Sequence, residues 1–156
     1  MIKNALKTQM DQTWRMLEAQ VETFDDDAWL TEGCGYVTPA RVALHTVLGV
    51  GYYIGHSSEL GRRFGDSWST VEPDELPSRE QLLTHSAEVK QAFDVWLRTL
   101  TLEAENDAFP WCGPTQFGVL LFLVRHTLYH IGELNALLYR NRGGEVDDMW
   151  MEGFKA

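Results

Sequence analysis

Arg125-His126-Thr127-Leu128-Tyr129-His130-Ile131-Gly132-Glu133 sets two histidines four residues apart inside a long helical pattern. In an α-helix, residues i and i+4 share a face, offset by about 40° and about 6 Å along the axis. Both imidazoles can therefore point at one spot. Phe117, Leu120, Leu121, Val124, Leu128, Ile131, Leu134, Leu137 and Leu138 surround the pair at helical spacing. They predict a broad apolar face on the same helix, so the pair should border the interior. Two neutral imidazoles with convergent lone pairs are two metal ligands in need of a third. Alone, His-x-x-x-His is a weak pattern, and a solvated or locally satisfied pair is the commoner case. A third histidine elsewhere in the chain changes that balance.

Three further helices are expected. Ile2, Leu6, Met10, Trp14, Leu17, Val21 and Phe24 are spaced by fours and threes, an amphipathic signature over Ile2 to Phe24. Asp25-Asp26-Asp27 breaks it, and a Gly/Thr-rich loop with Gly33-Cys34-Gly35 follows to Val37. Thr38-Pro39 is a helix start, a capping side chain followed by a proline whose missing N–H costs nothing at the first position. This second helix is expected to reach about Arg63, with Val42, His45, Leu48 and Tyr52, and then His56 and Leu60, on its inner face. Gly49, Gly51, Gly55 and Gly61 weaken it by up to about 1 kcal/mol each, so close packing, or room for a ligand, is expected there. Ser78 and Gln81 have capping-box spacing and open a third helix with Leu82, Val89, Phe93, Trp96, Leu97 and Leu100 inward and His85 at the edge. Phe109 and Trp111 are expected to dock on one end of the core. The fourth helix should span Thr115 to Arg142 and stop at Gly143-Gly144. Met149, Trp150, Met151 and Phe154 make the tail apolar enough to pack on the body or on a second subunit. No segment reads as a strand.

The fold class is thus all-α, a four-helix bundle, and the length of 156 residues suits one domain spanning 1–156. Connections of about 13 residues reach about 43 Å at about 3.3 Å per residue, so loop length does not force an up-down-up-down order. Thirteen basic against 23 acidic residues give a net charge of −10, which argues against nucleic acid or an anionic membrane as partner. Cys34 and Cys112 make no disulfide framework. Neither a signal-type N-terminus nor an apolar run long enough to span a bilayer is seen, so a cytoplasmic location is expected.

His45 lies on the inner stripe of the second helix and can meet His126 and His130 if helices two and four are neighbours. Bundles build metal sites from facing helices in this way. Three neutral nitrogen ligands leave a coordination position open and the cation at full charge, which lowers the pKa of a bound water toward about 7 and that of a bound thiol as well.

The segment Val124–Leu138, with its His-x-x-x-His followed by Gly132, resembles the last-helix motif of the DinB-like (DinB/YfiT) superfamily. Pro39-Ala-Arg-Val-Ala-Leu-His45 is similar to that family's placement of a third ligand near the start of helix two. The resemblance implies a four-helix bundle, a divalent metal (commonly zinc or nickel) on His45, His126 and His130, and often a homodimer. Characterised relatives include S-transferases and isomerases that use low-molecular-weight thiols. Where the family often carries Gln, this chain has Glu133. That residue could be a fourth ligand, a hydrogen-bond acceptor for an imidazole, a general base beside bound water, or a carboxylate with no role. Tyr52 could line the pocket and bind the cosubstrate, or be plain core; Tyr129 points away from His130, toward an outer or interface position. The expected function is a thiol-dependent, S-transferase-like activity on a small electrophile. Hydrolysis with metal-bound water, or a non-catalytic dimeric metal-binding stress protein, fits the same residues.

Overall fold

The computed structural model describes residues 1–31 and 37–144. The loop around Cys34 and the apolar tail from Met149 to Phe154 lie outside the described residues. Among the described residues six α-helices run in the order α1 (Ile2–Thr23), α2 (Asp26–Thr31), α3 (Pro39–Tyr53), α4 (Glu59–Phe64), α5 (Arg79–Thr99) and α6 (Gln116–Asn141). Among the described residues the only pairing of strand type between two of them is the isolated Glu105–Thr115 bridge.

The four long helices α1, α3, α5 and α6 make the bundle. Helix α1 packs on α6 and α5, and α3 packs on the same two, so α1 and α3 are diagonal. Gln20 Nε2 donates to the Ile131 carbonyl at 3.1 Å and Arg142 Nη2 to the Thr23 carbonyl at 2.9 Å, so α1 and α6 run the same way. Helix α5 runs against α1: Lys7 pairs with Asp94 at 3.0 Å and Glu18 with Lys90 at 3.3 Å. Helix α3 runs against α6, because His45 meets His130 and Tyr53 meets Phe122. The order is therefore up-down-down-up, and residues 54–78 must cross the length of the bundle to bring α5 in parallel to α3. The core along its axis includes Met10, Trp14, Leu17, Leu44, Leu82, Phe93, Leu120, Leu123, Leu134 and Leu138, all buried.

Two expected boundaries are corrected. The acidic run after α1 is not only a breaker: Asp25 Oδ1 accepts the Ala28 N–H at 2.7 Å and so caps α2 in what was expected to be loop. The second long helix stops at Tyr53 rather than near Arg63. Gly55 adopts φ +70°, its N–H donating to the Tyr52 carbonyl at 3.1 Å and that of His56 to the Gly51 carbonyl at 2.9 Å. This is a Schellman stop, which needs a residue free to enter the left-handed region. Ser58 then caps α4, its Oγ accepting the Gly61 N–H at 2.9 Å. Tyr52, in the last turn of α3, is 65 % exposed rather than on the inner face.

Four side-chain placements differ as well. Trp111 does not dock into the core; it is 61 % exposed and its Nε1–H donates to Tyr53 Oη at 2.9 Å. On α6, Leu121 and Leu128 are exposed rather than inward. His85, expected at an edge, is 3 % exposed. The capping box at Ser78 and Gln81 forms as expected, and α6 ends before Gly143 and Gly144, both at positive φ.

Candidate metal centre

His45 faces His126 and His130 across the antiparallel α3–α6 contact. His126 Nε2 lies 3.3 Å from His45 Nε2 and 3.2 Å from His130 Nε2, and donor atoms of all three rings fall within 4.8 Å of one another. A tetrahedral centre with metal–nitrogen bonds of about 2.0–2.1 Å spaces its donors by about 3.3 Å. The three rings thus fit a divalent cation.

Each ring is held from behind. His130 Nδ1 is 2.7 Å from Glu133 Oε2; this puts the proton on Nδ1 and the lone pair on Nε2, toward the other two rings. Of the roles open to Glu133, its position is that of the imidazole partner. His126 stacks on Phe122, with centroids 5.4 Å apart, and lies over Gly49, where an added Cβ would come within 2.9 Å of Cε1. The glycine in α3 therefore makes room for this ring. His45 stacks on Trp68 at 4.1 Å. Trp68 belongs to the crossing segment, and Arg41, one turn before His45, anchors that segment by donating to the carbonyls of Trp68, at 3.0 Å, and of Val71. Neither Arg41 nor Trp68 was marked from the sequence. The one available signal was a buried-helix arginine four residues before a candidate ligand.

Burial, reinforced by the neighbouring His130, pushes His45 down to about 4, with Glu133 opposing. His126 is pushed to about 4 by burial and then by His130, His45 and Arg125. Both rings are neutral near pH 7, the form that binds a cation.

A cleft of about 480 Å³ reaches His45 and His126, a volume suited to a small molecule. Tyr52, Tyr53 and Trp68 line it, as do His56, Ser58 and His85. Tyr52 is thus a cleft-lining residue, by exposure rather than by core position. Tyr129 is exposed on the outer side of α6. Cys112 is half-buried, its thiol pushed up by burial, and lies outside the cleft.

Four helices with three histidine donors turned to one point define a helical bundle with a metal-type donor set. The chain belongs to the DinB superfamily, whose family model matches residues 9–134, a span that takes in His45, His126, His130 and Glu133. No curated protein and no solved structure is a match. Among the described residues, no helix is long and apolar enough to cross a membrane.

Proposed function

We propose that this protein is a divalent-metal-dependent enzyme in which a thiol attacks a small electrophile, an S-transferase-like reaction. The observation that carries the reading is the convergence of three Nε2 atoms with His130 aligned by Glu133. In this proposal His45, His126 and His130 hold the cation, zinc or nickel by the softness of imidazole donors. The cation would supply charge that favours thiolate, or hydroxide, near neutral pH. Glu133 keeps the His130 proton on Nδ1 and can take a share of it as charge develops. Trp68 shields the His45 face from water, and Tyr52 and Tyr53 wall the cleft through which the electrophile enters. Hydrolysis uses the same residues with water in place of the thiol. A closed structural site needs four protein donors. Engagement of Glu133 with Nδ1 supports an open position instead, and so an enzyme over a non-catalytic metal-binding protein.

A homodimer forms part of the proposal, supported by the outward stripe of Leu121, Leu128, Tyr129 and Tyr139 on α6, each 40–66 % exposed. The deciding experiment is elemental analysis of tag-free protein and of His130→Ala. The wild type should carry one divalent ion per chain, and the variant should lose it while keeping its helical circular dichroism. Full metal content in the variant would remove His130 from the ligand set.

A further inference from the structure

Two of the three rings at the candidate centre are aimed by different means. His130 is turned by the Glu133 carboxylate at its Nδ1. His45 has no such partner among the described residues; its ring is hydrogen-bonded only toward His126, through Nε2. The last torsion of a histidine side chain is broad, so a second contact is needed to hold the ring on line. The Trp68 indole supplies it, stacked 28° from parallel with centroids 4.1 Å apart.

What keeps the indole in place traces to Arg41. Trp68 sits in a turn whose own hydrogen bonds are local. Ser67 Oγ donates to the Phe64 carbonyl at 2.6 Å, Thr70 Oγ1 to the Ser67 carbonyl at 3.1 Å, and the N–H groups of Thr70 and Val71 to that same carbonyl at 2.9 and 3.1 Å. None of these ties the turn to the bundle. Arg41 does, through its guanidinium on the carbonyls of Trp68, at 3.0 Å, and Val71. Its side chain is itself packed in place, the residue being 6 % exposed. One planar fork holding two carbonyls fixes the turn in a way a single ammonium cannot. Arg41 and His45 lie one turn apart on α3, so one helix carries both a ligand and the anchor of the residue that covers it. We infer that Arg41 is a positioning residue for the three-histidine centre, acting through Trp68 to hold the His45 ring as Glu133 holds that of His130. The inference rests on the metal-binding role proposed above.

Substitutions in the full chain near neutral pH test this: Trp68→Leu, Arg41→Lys and the two combined. The first readout needs no metal. Ring protons lying against an indole face resonate upfield, so the His45 signals in the NMR spectrum should lose that shift in Trp68→Leu and most of it in Arg41→Lys, with the His130 signals in place. The second readout is zinc affinity by competition with a chelator. Each single variant should bind about tenfold more weakly. The double variant should bind no more weakly than Trp68→Leu, because both substitutions remove one contact. Trp68→Phe, which keeps a ring, should retain most of the affinity. Unmoved His45 signals in Arg41→Lys, or losses that multiply in the double variant, would overturn the inference, since an arginine that only stabilises the fold acts independently of Trp68. If Arg41→Lys does not fold, Trp68→Leu decides alone, and unchanged His45 signals or zinc affinity in it overturn the inference. A chain that takes up no metal would sink the proposed enzyme, while the His45 signals still decide whether Arg41 holds that ring through Trp68.

Discussion

Two histidine groups share one cleft and are built in opposite ways. In the first, the rings of His45, His126 and His130 turn nitrogens on one another, and a carboxylate fixes the tautomer of His130. In the second, His85 has Ser58 Oγ 3.4 Å from its Nε2 and the Glu88 carboxylate 3.7 Å from its Nδ1. Converging lone pairs suit a cation; an imidazole set between a hydroxyl and a carboxylate is answered by its own neighbours. Imidazole is the same chemical group in both, and the direction of the ring, set by helix phase and backing residues, assigns the role.

Acid should give the largest effect, and zinc should make it separate the groups. His45 and His126 titrate in the folded chain near 4 against about 6.5 unfolded. Between those values the unfolded state binds more protons, so stability falls as pH drops from about 6.5 to about 4. His85, also lowered mainly by burial, acts with the same sign. The total is a few kcal/mol for metal-free protein, read as a falling denaturation midpoint. Zinc should push this acid limb to lower pH, because cation and proton compete for the same nitrogens. In NMR, zinc should move the His45, His126 and His130 signals and leave those of His56 and His85 in place. Zinc shifts on His85 would erase the contrast.

The sequence revealed the first group and hid the second for a physical reason. His126, His130 and His45 stand on regular helices, where phase follows from residue spacing, and α1, α5 and α6 were legible from the same periodicity. Apolar spacing shows which side of a helix is greasy, but not how far its edges are covered, so Leu121 and Leu128 were counted inward. The end of α3 depended on one backbone angle at Gly55, and four glycines in that stretch read as a diluted helix, not as a stop. His56 and Ser58 owe their positions to that turn, and Trp68 reaches His45 only through the path of the crossing segment. Contacts made by chain path rather than by period leave no local pattern.

Glu133→Gln comes next in size. The amide holds His130 by a neutral hydrogen bond in place of a charged one, so metal affinity should drop about 10- to 100-fold. Competition with a chromogenic chelator measures it. The NMR signals of His56 and His85 should be unaffected; a matching change there would mean the two groups are coupled through the fold rather than independent.

The smallest effect comes from a pair of glycines two residues apart on α3, one on each side of the contrast. Alanine favours a helix over glycine by about 1 kcal/mol. At Gly51 an added Cβ meets only ordinary contacts, the His56 carbonyl oxygen at 3.7 Å and Val89 at 3.8 Å, so Gly51→Ala should raise the denaturation midpoint by a few degrees. At Gly49 the same methyl comes within 2.9 Å of His126 Cε1. The ring must turn away from its two partners, because Phe122 stacks against it. Gly49→Ala should therefore gain little or no stability and lose metal affinity, whereas Gly51→Ala should keep it. Equal metal affinity in the two variants would mean that His126 tolerates displacement, and that the close approach of α3 to α6 is packing alone.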